Sequence, residues 1–164
     1  MNLQSTNSPR LGFANQFIVF RLNETRFAVE INQALRIIRL TPITRVPHAP
    51  NFLEGVINYK GQAIPIIDLH KRMTLPAGEY GDNARIIIIG LGEQIIGMMV
   101  DVVQKIIHLH LDQIQPPPEM VAQVNGVYLT GVAHYNDELI VILDLSRVLS
   151  VEEIEEMDAW NAEN

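Results

Sequence analysis

The chain has 164 residues, 48% of them hydrophobic, which is enough for one domain or for two very small barrels that share a core. It contains no cysteine, so a disulfide framework and a thiolate site are both excluded. The net charge is −7, but six of the nineteen acidic residues follow the last basic residue, Arg147, and the rest of the chain carries twelve basic and thirteen acidic residues. This nearly neutral body lacks the basic stripe of a nucleic-acid-binding protein.

We predict that residues 1–15 form a mobile arm, because they are rich in Asn, Ser and Gln and have few periodic apolar residues. They also lack the charged and apolar regions of a signal peptide. Apolar runs such as Ile86–Ile89 are far shorter than the roughly 20 residues needed to cross a bilayer. These features predict a cytoplasmic protein with no membrane-spanning segment.

Short runs of Ile and Val between nine prolines and ten glycines predict an all-β fold. The first two strands are predicted at Phe17–Phe20 and Arg26–Ile31, with a turn between them. Residues 33–35 can form one helical turn before the β-branched segment Arg36–Leu40 continues as a strand. Three prolines then make residues 41–51 a loop.

The segment Gly55–Leu69 has the pattern strand, turn, strand, which predicts a hairpin. Gly61 lies in the turn, where a glycine adopts positive φ without a Cβ clash. Pro65 lies in the second strand and cannot donate a ladder hydrogen bond, so this strand is predicted to be an edge strand or to contain a bulge. An edge strand could accept a partner.

The two halves of the chain match each other at apolar and turn positions. A shift of 69 residues places Phe17–Phe20 on Ile86–Ile89, and a shift of 76 residues places the hairpin Gly55–Leu69 on residues 131–145. Two β-rich halves can match by chance at Ile and Val positions, but matching Gly, Tyr and Asp positions favour a duplication.

The repeat predicts two similar barrels of about five short strands each, packed side by side. The first barrel is expected at about residues 17–73 and the second at about 84–149, with a linker at 74–83. A cleft between two such barrels is the natural place for a ligand or peptide.

An acidic amphipathic helix is predicted at residues 151–164. Ser150 and Glu153 have the spacing of a capping box, and acidic residues in the first turn suit the helix dipole. Four apolar residues recur every three positions, namely Val151, Ile154, Met157 and Trp160.

No enzyme motif stands above background, since the chain lacks a Gly-rich phosphate loop, a nucleophile elbow and a His-Glu-x-x-His sequence. His108 and His110 lie on one face of a predicted strand and could chelate a metal, although solvent exposure is the interpretation that we favour. We therefore predict a protein that is not an enzyme and has no cofactor or metal.

Two further residue patterns have a functional and a structural interpretation. Asp68 and Asp144 could act as paired carboxylates, but their equivalent places in the repeat favour a capping role after each terminal strand. Pro116–Pro118 could recruit a proline-reading domain, but we favour a rigid loop.

The two halves of the chain carry opposite charges. Residues 17–73 carry eight basic and four acidic side chains, and residues 86–149 carry two basic and seven acidic side chains. Opposite signs favour head-to-tail contact with copies or relatives of the chain.

Four further motifs are Asn58-Tyr-Lys-Gly61, Pro65-Ile-Ile-Asp68-Leu69, Phe17–Phe20 and Tyr128–Gly131. Together they resemble the CheW family of bacterial chemotaxis coupling proteins. The resemblance covers about residues 16–150, and its specific part is the spacing of Gly55, Asn58, Gly61, Pro65 and Asp68.

The resemblance implies a non-catalytic adaptor with two SH3-like five-stranded barrels. Such an adaptor joins the cytoplasmic tip of a methyl-accepting chemoreceptor to the regulatory domain of a CheA-type histidine kinase. Because that kinase domain is itself similar to CheW, adaptor and kinase alternate in rings, which could include other CheW-like proteins. The adaptor would be cytoplasmic and recruited to the inner face of the membrane through receptors.

The resemblance also implies site residues. The partner-binding positions are Ala34, Arg36, Val56, Asn58, Lys60 and Gly61, and the structural turn positions are Gly55, Gly97, Pro65 and Asp68. Lys60 stands where the family usually has an arginine, and lysine lacks the planar fork of arginine. Arg36 stands where a well-known type of CheW has an acidic residue, and Ala34 where it has valine. A charge reversal of this kind changes partner choice.

These departures suggest a divergent adaptor, and they leave open a non-flagellar chemosensory system such as one serving twitching motility. Two other classes also remain open. One is an SH3-like module that binds a peptide or polysaccharide outside chemotaxis, and the other is an enzyme that uses His108 and His110 with a metal.

Overall fold

The computed structural model describes residues 14–118 and 128–163 of the chain. The strands are β1 (Ala14–Leu22), β2 (Thr25–Glu30), β3 (Ala34–Arg39), β4 (Gly55–Tyr59), β5 (Gln62–Asp68), β6 (Arg85–Leu91), β7 (Gln94–Val100), β8 (Val102–His110), β9 (Ile114–Gln115), β10 (Leu129–Tyr135) and β11 (Glu138–Leu143). The helices are α1 (Leu69–Arg72) and α2 (Val151–Glu163), and 3₁₀ turns lie at Ile31–Gln33, Leu111–Gln113 and Leu145–Arg147. The predicted all-β class with a short C-terminal helix is confirmed.

The strands form two sheets, and each sheet takes strands from both halves of the chain. Barrel A has the order β8-β1-β2-β11-β10-β9, and barrel B has the order β3-β6-β7-β5-β4. The predicted barrel boundaries, 17–73 and 84–149, are therefore wrong. The β1–β2 hairpin pairs with β8 and β11 of the second half, and the β6–β7 hairpin pairs with β3 and β5 of the first half.

Each sheet closes through the segment that follows one of its end strands. In barrel B the chain leaves β3 and reaches Thr44, which exchanges two backbone hydrogen bonds of 2.8 and 2.9 Å with Val56 of β4. In barrel A the chain leaves β8 and forms β9, which pairs with β10. Both barrels thus pair their outer strands by the same device.

The strand exchange keeps the repeat that the sequence predicts. The 69-residue shift relates β1, β2 and β3 to β6, β7 and β8, and the 76-residue shift relates β4 and β5 to β10 and β11. When each strand of barrel A is replaced by its repeat equivalent, the order β8-β1-β2-β11-β10 becomes β3-β6-β7-β5-β4, which is the order of barrel B. The two barrels are therefore built alike, and each borrows one hairpin from the other half.

The borrowed hairpins bury both of their faces, because one face lines a barrel and the other lies between the barrels. In β6, Ile86 and Ile88 point into barrel B, whereas Ile87 and Ile89 join the central core shared with β1 and β2. Barrel A has its own interior cluster, which includes Phe17. A strand that is buried on both faces requires a continuous apolar run, which explains the four consecutive isoleucines of β6.

Pro65 does not lie on an edge strand, because β5 has β4 on one side and β7 on the other. The prediction of an edge strand is wrong, and the end strand is β4. The alternative of a bulge is also wrong, because the register of β4 with β5 is continuous through Pro65. Pro65 is opposite Val56, whose N–H and C=O both bond to Thr44 on the other side. The pair therefore exchanges no backbone hydrogen bond, and the pairing with β7 begins only at Ile66.

The ends of the chain differ in part from the predictions. β1 begins at Ala14, so the last two residues of the predicted arm belong to a strand, and residues 1–13 lie outside the described part of the chain. The capping box of α2 is present, since Ser150 and Glu153 each donate a backbone N–H to the other's side chain. Within residues 14–118 and 128–163, every helix is too short or too polar to cross a bilayer.

Val151 does not join the apolar face of α2. Met157 is buried and Ile154 and Trp160 pack against the central core, but Val151 is 68% exposed. Residues three positions apart in an α-helix lie about 60° apart around the helix axis. Val151 and Trp160 are three such steps apart, so they lie on opposite faces of the helix.

Candidate partner-binding surface

The turn between β4 and β5 presents a lysine at a defined position. Lys60 and Gly61 have φ values of 52° and 81°, which is the geometry of a two-residue type I′ turn and confirms the predicted positive φ at Gly61. The side chain of Asn58 accepts a hydrogen bond of 3.0 Å from the N–H of Gly61. The Lys60 ammonium lies 5.3 Å from the centre of the Tyr59 ring. A residue with a Cβ is disfavoured at such φ, so the hairpin holds Lys60 in an unusual conformation.

β3 presents the second group of predicted partner-binding residues. Arg36 is exposed and Ala34 is partly buried, and the register with β6 shifts between them. Leu35 lies at this irregularity and is 59% exposed, and Ile37 is 36% exposed. Across the described residues, Arg36 takes part in no ion pair. This end of barrel B therefore offers apolar and basic side chains together.

The six predicted partner-binding residues form two groups along the strand order of barrel B. Val56, Asn58, Lys60 and Gly61 belong to β4 and its turn, whereas Ala34 and Arg36 belong to β3 at the other end of the strand order. β6, β7 and β5 lie between the two groups. On the other side of the barrel, the segment that follows β3 pairs with β4 at Thr44. We call the group on β4 and its turn the hairpin patch and the group on β3 the β3 patch.

Gly55, Pro65 and Gly97 are strand residues, so their assignment to turns is wrong. A Cβ on Gly55 would lie 2.3 Å from the carbonyl oxygen of Thr44, because the segment that closes barrel B passes over this position. Its repeat equivalent Gly131 faces β9 in the same way, with Gln115 O at 3.1 Å. Gly97 lies within β7, where a Cβ would meet the side chains of Ile86 and Ile66. These glycines permit close packing of the closing segments and the barrel interior.

The two aspartates of the repeat cap the turns that follow them, as predicted. Asp68 accepts a hydrogen bond from the N–H of His70, and Asp144 accepts one from the N–H of Ser146. Burial acts to raise the pKa of Asp144, but hydrogen bonds from Ser146 and Gln33 outweigh it and hold the pKa below its usual value. Their separate environments exclude a paired carboxylate site.

A groove of about 380 Å³ lies at the junction of the barrels, where the sequence predicts a cleft. It is lined by residues that include exposed Leu35 and Gly90 of barrel B and Gln33 and Ser146 beside barrel A. The side chain of Gln33 donates to Asp144 at 2.7 Å and accepts from the N–H of Leu145 at 3.0 Å. One amide thus fixes the wall of the groove, a role that the sequence pattern does not indicate.

The opposite side of the junction contains a buried polar network that sequence reasoning missed. His70 is fully buried, with Nε2 at 3.1 Å from Asp101 and Nδ1 at 2.7 Å from the hydroxyl of Tyr80. Tyr80 donates to Asp68 at 2.6 Å, and burial together with this hydrogen bond raises the pKa of Tyr80 far above its usual value. Asp101 also accepts from the N–H of Asn23 in the β1–β2 turn of barrel A. The network therefore links the two barrels, and only its spatial assembly reveals it.

The C-terminal helix is fastened to barrel B by a bidentate ion pair. Arg72 of α1 donates to both carboxylate oxygens of Glu153 at 2.6 and 2.7 Å. Burial acts to raise the pKa of Glu153, but the hydrogen bonds from Arg72 and from the Ser150 N–H outweigh it and lower the pKa below its usual value. The helix is thereby held over the central core.

The two histidines of β8 face solvent on either side of buried Leu109. His110 also begins the 3₁₀ turn, where its N–H donates to the side chain of Gln113. Across the described part of the chain, no cluster of three or more His, Asp or Glu side chains could hold a metal ion. Pro116–Pro118 has no regular secondary structure, and residues 119–127 after it lie outside the described residues.

The strand exchange changes where the predicted charges lie. Barrel B and its connections, residues 34–100, carry seven basic and five acidic side chains. The described residues of barrel A and its connections up to Arg147 carry four basic and seven acidic side chains. The barrels keep opposite signs, +2 and −3, and the difference is smaller than the halves of the sequence suggest.

The similarity to known proteins extends over most of the chain and includes both barrels. The family model of the CheW-like domain matches residues 16–153. A chemotaxis protein CheW of Bacillus subtilis is 34% identical over 137 residues, covering 84% of this chain and 88% of its own length. The chemotaxis protein CheW of Klebsiella aerogenes is 29% identical over 143 residues, covering 87% and 86%. The crystal structure of the scaffolding protein TtCheW from Thermoanaerobacter tengcongensis superposes with a TM-score of 0.77 at 31% identity, covering 85% of this chain and 95% of that one.

Proposed function

The chain belongs to the CheW-like domain family, and from this we propose that it is a non-catalytic adaptor that couples chemoreceptors to a CheA-type histidine kinase in a bacterial chemosensory array. The observation that carries the proposal is that the likeness includes both barrels and nearly the whole of a known scaffolding protein. The protein would act on the cytoplasmic side of the membrane, where receptors recruit it.

The two patches on barrel B support an adaptor that contacts two partners at once. The hairpin patch holds Lys60 in a fixed turn beside Asn58, and the β3 patch holds exposed Arg36 beside Leu35. Lys60 lies in the β4–β5 turn and Arg36 lies on β3, so a substitution can change one patch and leave the other intact. We assign one patch to the kinase regulatory domain and the other to the receptor tip.

Co-purification with the receptor and kinase encoded beside this chain tests the proposal. We expect Lys60→Glu and Arg36→Glu each to lose one partner, because a rim charge that is reversed repels the surface that it formerly attracted. Lys105→Glu is the matched control, since Lys105 lies 5.5 Å from the Tyr135 ring on barrel A much as Lys60 lies beside Tyr59. Retention of both partners by both variants would refute the assignment of these patches.

The basic residue Arg36 favours one alternative, an adaptor of a non-flagellar system such as twitching motility. The same co-purification distinguishes the two, because the receptor and kinase recovered belong to one pathway or the other.

The opposite charges of the two barrels also support head-to-tail contact with CheW-like proteins in rings. Sedimentation velocity at low and high salt tests this contact, which should weaken as salt increases.

A further inference from the structure

Two arginines face each other across neighbouring strands of barrel B. Arg39 of β3 is directly opposite Arg85 of β6, and like charges in such pairs are destabilising. The equivalent pair in barrel A is Gln16 with His108. The architecture itself therefore does not require two cations at this place.

The two arginines line a surface pocket of about 510 Å³ together with Asp82 and Asn83. Arg85 is held in place, since one of its guanidinium nitrogens donates to the carbonyl oxygens of Asp82 and Ala84 at 3.1 and 2.8 Å. Throughout the described residues, no carboxylate lies within ion-pair distance of Arg39 or Arg85. The pocket thus has two positive groups and one carboxylate, that of Asp82, which lies beyond ion-pair distance of both arginines.

We propose that this pocket binds a carboxylate side chain of an acidic protein segment. Two guanidinium groups on adjacent strands can hold a carboxylate through charge-assisted hydrogen bonds. Ile37 lies two residues before Arg39, so it projects from the same face of β3, and it is 36% exposed. A ligand that covers both needs an apolar group beside its anion, which a protein segment has and a free inorganic anion lacks.

The geometry also specifies the segment. Side chains two residues apart in an extended chain lie on one face, about 7 Å apart. The segment that fits therefore carries an apolar residue two positions from an Asp or Glu. This site goes beyond the adaptor function, because it can be tested on the isolated protein and does not depend on which kinase or receptor is the partner.

Titration of the ¹⁵N-labelled protein with a short peptide, Ser-Val-Thr-Glu-Ser with blocked ends, tests the site by NMR. We expect shifts centred on Ile37, Arg39 and Arg85, and about tenfold weaker binding to Arg39→Gln, which loses one charge-assisted hydrogen bond. Arg39 is exposed, so this variant should fold. Arg45→Gln is the matched control, because the side chain of Arg45 is 80% exposed and lies outside the pocket.

A peptide with Gln in place of Glu, and inorganic phosphate alone, complete the experiment. We expect the Gln peptide to produce no saturable shifts and phosphate to bind more weakly than the Glu peptide. Equal binding of the Gln peptide, or unchanged affinity of Arg39→Gln, would overturn the carboxylate site. Phosphate binding as tight as peptide binding would overturn the assignment to a protein segment. None of these outcomes bears on the recovery of kinase and receptor.

Discussion

The same hairpin turn occurs in both barrels with opposite charge. Lys60-Gly61 in barrel B and Asn136-Asp137 in barrel A all have positive φ, between 50° and 81°. Asn and Asp tolerate this conformation better than other residues with a Cβ, so barrel A needs no glycine there. The backbone of the turn is thus a property of the architecture, whereas lysine at residue 60 is not a residue type that this conformation favours.

Other equivalent positions also differ between the barrels. His70 of the buried network corresponds to exposed Ser146, and Arg72, which pairs with Glu153 of α2, corresponds to buried Val148. Barrel B thus holds buried or paired polar groups where barrel A has a solvated serine or an apolar side chain. Equivalent substitutions in the two barrels therefore separate what the shared architecture requires from what barrel B alone uses.

The largest contrast is expected between His70→Ala and Ser146→Ala. Removal of the buried imidazole leaves the carboxylates of Asp68 and Asp101 without this partner, which should lower the free energy of unfolding by about 3–5 kcal/mol. Ser146→Ala removes an exposed hydroxyl and should cost about 0.5 kcal/mol. Urea denaturation measures both. If His70→Ala does not fold, Tyr80→Phe should still cost about 1–2 kcal/mol, and a neutral Tyr80→Phe would contradict a structural role for the network.

Gly55→Ala should be more damaging than Gly131→Ala. The new Cβ at residue 55 would meet a backbone oxygen at 2.3 Å, whereas at residue 131 the nearest atom is a side-chain carbon of Ile114 at 2.8 Å, which can move. We expect losses of about 3 and about 1 kcal/mol respectively. Hydrogen exchange at Val56 reports directly on closure of barrel B and should accelerate only in Gly55→Ala. Similar losses in both variants would mean that the two closures are equally adaptable.

The smallest effect is the pH dependence of the stability that the Arg72–Glu153 ion pair contributes. Because the folded-state pKa of Glu153 is lowered, its contribution is fully present above the unfolded-state value of about 4.3 and is lost as the pH falls through the folded-state pKa. We expect the native protein to lose about 1 kcal/mol more than Glu153→Gln between neutral and acidic pH. Thermal unfolding across this range provides the measurement. Val148→Ala, at the equivalent position in barrel A, should not alter the pH slope.

Much of the local structure follows from the sequence because it depends on neighbours in the chain. The Gly55–Leu69 hairpin, the aspartate caps and the capping box of α2 use contacts within a few residues. Long-range contacts do not follow from the sequence pattern, because they join residues that are far apart in the chain. The His70 network joins residues separated by up to 78 positions, and Gln33 reaches residues more than 100 positions away.

The sequence by itself determined the strands, the turns, the repeat and the family resemblance, since periodicity and turn chemistry are local. Only the tertiary structure decided which strands share a barrel. Both halves offer an equivalent hairpin, β1–β2 or β6–β7, and either would suit the remaining strands of either half. The choice depends on burial of the second face of each hairpin in the central core, which requires both halves together.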